Sequence, residues 1–114
     1  MQNLQQEIKD FIRARAWEQH HNPKNLAMAL SVETSELVEI FQWLTPKESS
    51  DLKAEDLTHL EEEIGDIMIY LTTLAAAYDL DPITAARKKI VKNALKYPLP
   101  EKCVRHGEIP LTSR

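Results

Sequence analysis

Glycine is nearly absent from this chain, with two residues in 114. Tight hairpins and bulges draw on glycine's access to positive φ, so a fold rich in short strands is not expected. Cysteine is rarer still. Cys103 stands alone, which excludes an intrachain disulfide and fits a reducing compartment, and it is read as an ordinary tail thiol. Basic residues are in deficit, at 14 Lys and Arg against 18 Asp and Glu, a net charge of -4. Such a chain presents no positive field for a nucleic-acid polymer. Long apolar runs are missing too: none approaches the roughly 20 residues that span a bilayer. The opening "MQNLQQEIKDF" lacks the basic and apolar regions of a signal peptide. A soluble, cytoplasmic protein is expected, with no membrane partner.

What is present is helical periodicity. Apolar residues make up 43% of the chain, which suits a single globular domain whose core is modest at this length. Four helical segments are expected. The first runs from about Asn3 to Glu18, with Leu4, Ile8, Phe11, Ile12 and Ala16 on one side. "HHNP" breaks it, because a residue before proline avoids helical angles. The second runs from Pro23 or Lys24 to Leu44, with Asn22 as N-cap. "TPKESSDLKAED" reads as a polar connection. The third starts between Leu52 and Glu55 and continues to about Tyr78, on a stripe of Leu57, Leu60, Ile64, Ile67, Leu71, Leu74 and Tyr78. The fourth opens at Asp81-Pro82 and stops at Tyr97. The reading is an all-α domain over residues 1–98 with a long central antiparallel hairpin, followed by an irregular tail, 99–114, that includes His106. Apolar helix faces left over from so small a core suit association with further copies.

The second helix carries an anomaly. Leu26, Leu30, Leu37, Ile40 and Leu44 recur at steps of three and four, and Glu33 falls in step with them. Glu36 lies three residues on, on a neighbouring face. The third helix repeats the device in "EEEIGD", where Glu63 borders the stripe and Asp66 follows at the same spacing. Glu33 and Glu36 lie 11 and 8 residues before Leu44, while Glu63 and Asp66 lie 9 and 12 after Ala54. In an antiparallel pair those heights match, at about 12–18 Å from the loop. Four carboxylates would then meet in an apolar seam, where unpartnered burial costs several kcal/mol per ion. A divalent cation resolves the conflict, and hard oxygen ligands suit Mg²⁺ or Mn²⁺. Glu39, Glu48, Glu55, Glu61 and Glu62 read as solvated.

Two other readings compete. Di-iron bundles use Glu residues with Glu-x-x-His pairs, and Glu18–His21 and Asp56–His59 have that spacing. His21, however, abuts the proline break. His59 is placed a turn or more from Glu63 and Asp66, as an ordinary helix-surface residue. A non-catalytic oligomerisation or adaptor domain would explain the stripes but not Glu33 and Glu63. Near the metal set, Lys89, Asn93, Lys96 and Tyr97 share roughly one face of the fourth helix and suit phosphates and a polar ring, while Lys88 and Lys92 read as a solvated basic face. Trp17 and Trp43 lie near helix ends, and aromatic walls with a histidine can sandwich a base.

The stretches "WEQHHNPKNLAMAL", "ETSELVEIFQW", "EEEIGDIMIYL" and "KNALKYP" come in this order over most of the chain. Together they resemble the MazG-like all-α nucleoside triphosphate pyrophosphohydrolases, and within them the dCTP pyrophosphatase branch. The resemblance implies that Glu33, Glu36, Glu63 and Asp66 bind Mg²⁺, with Mn²⁺ as an alternative. It implies a base pocket at Trp17, His21 and Trp43, and nucleotide contacts from Asn93 and Tyr97, with Lys89 and Lys96 at the phosphates. It further implies hydrolysis of a nucleoside triphosphate to monophosphate and pyrophosphate, by homodimers or homotetramers with sites at subunit interfaces. Glu36 and Glu62 are the candidates to assist the attacking water. The short connection 45–53 and the tail after Pro98 depart from the family pattern.

Overall fold

The computed structural model describes residues 2–100. It contains helices α1 (Gln2–Ala14), α2 (Pro23–Phe41), α3 (Pro46–Ser49), α4 (Ala54–Ala76) and α5 (Pro82–Lys96), with a 3-10 turn at Glu18–His20. No strand occurs among the described residues, so the fold is all-α as expected. No helix of the described residues is long and apolar enough to cross a membrane. Cys103 and His106, and nearly all of the expected tail, lie outside the described residues.

Helix boundaries follow local chemistry. Asn22 caps α2 by accepting a 2.9 Å hydrogen bond from the Asn25 amide on Oδ1, and Pro23 fills the first helical position. The first helix ends earlier than its apolar pattern suggests, at Ala14 rather than Glu18. Ala16 takes φ 55, the Trp17 amide donates back to the Ile12 carbonyl, and the Ala16 amide donates to Arg13. This is a Schellman termination with alanine at the left-handed position. Helix α4 ends the same way on Asp79, φ 55, with the Leu80 amide donating to Ala75. Neither end carries the glycine that would mark it in a sequence.

The connection 45–53 is not merely polar. It holds α3, closed by a reciprocal capping box: the Glu48 amide donates to Thr45 Oγ1 at 3.1 Å, and the Thr45 amide donates to a Glu48 carboxylate oxygen at 2.9 Å. The Thr45 amide, and with it the Thr45 hydroxyl, holds the Glu48 carboxyl below its ordinary range. Glu48 is exposed, as expected of a solvated glutamate, and is also the cap of this turn.

The chain divides between Asp81 and Pro82 into two units. In the first, α2 packs along α4, and α1 lies against α4. Its apolar core is small. Ile8, Ile12 and Leu26, the last 1% exposed, are the buried hydrophobics among the described residues. The expected stripe of α4 is not all core. Leu57, Ile64, Leu71 and Tyr78, one every seven residues, form an exposed row, and Met28, Val32 and Val38 of α2 are exposed as well. The second unit begins at Pro82 and contains α5.

Candidate functional site

Helices α2 and α4 bring together three of the four expected metal ligands. One carboxylate oxygen from each of Glu33, Glu36 and Glu63 lies within 4.8 Å of the others. Glu63 is 6% exposed and Glu33 half-buried, because both side chains point into the seam between the helices. Each leaves its Oε2 buried without a hydrogen-bond partner. Asp66, one turn after Glu63, is exposed and stands outside this trio, yet its charge reaches both buried carboxyls. Glu62 is exposed and also outside the trio.

The electrostatics express the crowding. Burial pushes the Glu33 carboxyl up to about 7. A hydrogen bond with Glu63 and the charges of Glu36 and Asp66 act in the same direction. Burial likewise raises Glu63, with Glu36 and Asp66 adding to it and the hydrogen bond from Glu33 opposing it. Carboxyls brought this close, two of them with orphaned oxygens, resist ionising together unless a counter-charge joins them. An all-oxygen donor set with free, inward-facing atoms fits a hard divalent cation of the Mg²⁺ or Mn²⁺ type.

One neighbour departs from the expectation. His59 Nε2 lies 3.5 Å from Glu63 Oε1, whereas the sequence reading sets His59 a turn or more from Glu63 and Asp66, as an ordinary helix-surface residue. The two residues are four apart on α4, which sets them on one face and within contact. That spacing was the available signal.

The residues expected around the base are not gathered in one chain. His21 follows the 3-10 turn and lines a cavity of about 310 Å³ under α1, together with Ile8, Ile12, Glu18 and Thr72. His21 Nδ1 and Thr72 Oγ1 are buried there without partners, and Thr72 is 1% exposed. Trp17 sits beside this turn, edge-on to Phe11 at a centroid distance of 5.7 Å, while the Arg15 guanidinium lies 3.7 Å from the Phe11 ring centre. Trp43 lies past the other end of α2 and is 87% exposed. The 19 residues of α2 place that end about 28 Å from His21. The cavity also faces away from the carboxylates. Thr72 follows Glu63 by nine residues, or two and a half turns at 3.6 residues per turn, so the two project from opposite sides of α4.

The remaining expected contacts stand on the second unit. Asn93 and Tyr97 are half-buried on and just after α5, and the Tyr97 amide donates to the Asn93 carbonyl at 2.7 Å. Lys89 and Lys96 are exposed, with the Lys96 Nζ 5.2 Å from the centre of the Tyr97 ring.

Comparison with known proteins agrees with the resemblance seen in the sequence. Residues 28–106 match the MazG-like family. The dCTP pyrophosphatase 1 of Homo sapiens is 40% identical over 91 residues, 78% of this chain and 54% of that protein. The Bos taurus dCTP pyrophosphatase 1 is 41% identical over 93 residues, with 79% and 54% covered. The chain thus spans about half the length of the curated relatives it matches. A crystal structure of a pyrophosphatase from Archaeoglobus fulgidus DSM 4304 superposes with a TM-score of 0.81 at 39% identity, over 87% of this chain and 93% of that one.

Proposed function

The chain belongs to the MazG-like family, and from that premise we propose that it hydrolyses a nucleoside triphosphate to the monophosphate and pyrophosphate. The observation that carries the reading is the trio Glu33, Glu36 and Glu63 with its orphaned, inward-facing oxygens. These residues, with Asp66 completing the set, hold Mg²⁺; Mn²⁺ suits the same donors. When bound, the cation polarises the α-phosphoryl oxygens and offsets the charge that develops as pyrophosphate departs.

The chain's own groups do the rest. Water attacks the α-phosphorus, the bond to the β-bridging oxygen breaks, and a carboxylate takes the proton from the water. Glu36, in the trio, and Glu62, just before Glu63, are the candidates for that proton. Occupation of the site also requires Glu33 to release the proton that burial favours, so binding is coupled to pH.

We take the substrate to be dCTP or a 5-modified dCTP, in keeping with the names of the relatives. Trp17, His21 and Trp43 wall the base, and Lys89, Asn93, Lys96 and Tyr97 contact the nucleotide. Since α2 separates Trp43 from His21 within one chain, a pocket using both requires a second copy. The exposed row Leu57, Ile64, Leu71 and Tyr78 supports a homodimer or homotetramer, because its seven-residue spacing is that of a helix-packing seam. An adaptor domain would explain that row but not the crowded carboxylates.

A panel of canonical and 5-modified dNTPs with Mg²⁺, scored for monophosphate and pyrophosphate, tests the reading. Cytosine nucleotides are expected to turn over best. Preferred turnover of purines would remove the substrate assignment and leave the reaction class. Glu63→Gln is expected to abolish turnover with helicity retained, and normal pyrophosphate release from that variant would contradict the metal site.

A further inference from the structure

We propose that His59 is a positioning residue for the cation site: its imidazole, set against the Glu63 carboxylate, holds that group in the orientation that serves the cation. The inference rests on the metal reading above. Glu63 Oε1 lies 3.5 Å from His59 Nε2, while Glu63 Oε2 is buried and has no partner. The two oxygens of one carboxylate thus have different surroundings. Nε2–H can donate to this carboxylate, which also supplies one oxygen to the trio with Glu33 and Glu36.

A carboxylate turns readily about its last torsion. Without an anchor, Glu63 would lose that freedom when the cation binds, and affinity would suffer accordingly. Both residues stand on the same rigid helix, four positions apart, so the contact is formed before any ligand arrives. Outer partners of metal-binding groups commonly affect metal affinity by about 10–100-fold. The burial pattern separates this role from packing. The His59 side chain is 54% exposed and that of Glu63 8%, so shortening His59 opens no core cavity.

The test is a titration of the full chain with Mn²⁺, following free ion by electron paramagnetic resonance, for the unaltered protein, His59→Ala and His59→Gln. Thermal unfolding of each is measured without metal. His59→Ala is expected to bind Mn²⁺ about 10–100-fold more weakly with an unchanged unfolding midpoint. His59→Gln, whose side-chain amide can donate from a similar place, is expected to recover most of the affinity. Unaltered affinity in both variants would overturn the proposal while leaving the metal site intact. So would nitrogen coupling to bound Mn²⁺ that disappears in His59→Ala, since His59 would then be a direct ligand. If the unaltered chain binds no Mn²⁺, the metal reading itself falls and the inference goes with it.

Discussion

Raising the pH from about 5 to about 8 without divalent cations is expected to destabilise the fold, and Mg²⁺ is expected to remove the effect. The Glu33 carboxyl ordinarily titrates at 4.5, and in the folded chain burial and its acidic neighbours push it up to about 7. The folded state therefore holds this proton more tightly than the unfolded state does. Stability is unaffected below 4.5, falls as the pH rises through the window from 4.5 to about 7, and levels off above it. At about 1.4 kcal/mol per factor of ten in proton affinity, the full displacement corresponds to about 3 kcal/mol. Glu33 is half-buried, and solvent screening among the carboxylates brings this down to about 1–2 kcal/mol. For a domain of this size that is a drop of about 5–10 °C in Tm. The assay is thermal denaturation in a chelator, at fixed protein concentration because association would also move Tm. Glu33→Gln isolates the group, and its profile is expected to be flatter by that amount. Added Mg²⁺ binds the deprotonated set, so its stabilisation grows with pH and opposes the fall. A chelated protein equally stable at both ends, or a Glu33→Gln variant with an undiminished fall, would refute the reasoning.

Two further substitutions test features of the first unit. Thr72→Val replaces a buried hydroxyl that has no partner with a methyl of similar size, so chemical denaturation is expected to show stability raised by about 0.5–1.5 kcal/mol. A loss of similar size would mean that the cavity supplies Thr72 with a partner. Ala16→Gly relieves the left-handed strain at φ 55, and a gain of about 1 kcal/mol is expected; destabilisation would show that the Schellman end of α1 does not persist in solution.

The parts legible in the sequence were those encoded by residues close together. Asn22-Pro23 announced the start of α2 because a side-chain cap and a fixed φ act within one turn. The carboxylate cluster was legible because Glu33 and Glu63 broke apolar patterns at matching heights on two helices joined by a short connection. His59 was legible in principle, since its four-residue step to Glu63 is a property of any helix, but its spacing to Asp56 drew attention to it as a competing ligand and not as a neighbour. The end of α1 was concealed because alanine occupies the position where glycine would have signalled it. Thr45-Pro-Lys-Glu48 has the spacing of a capping box, yet its polarity made it read as plain connection.

The α4 stripe misled for a different reason, and that reason bears on function. Periodicity shows which residues avoid water without showing what covers them. Leu57, Ile64, Leu71 and Tyr78 keep the period but remain exposed, while Glu63 and Thr72 take buried places. A chain that spends interior positions on a carboxylate and an unpartnered hydroxyl, and leaves an apolar row outside, is poorly satisfied by its own fold. Cation binding would supply the missing charge at Glu63. A second copy would supply cover for the row and, across the length of α2, a Trp43 for the proposed base pocket, whose Trp17 and His21 lie at the other end. On this reading assembly and substrate recognition depend on the same surfaces. A substitution that keeps the chain monomeric should therefore cost substrate binding even with all four carboxylates in place.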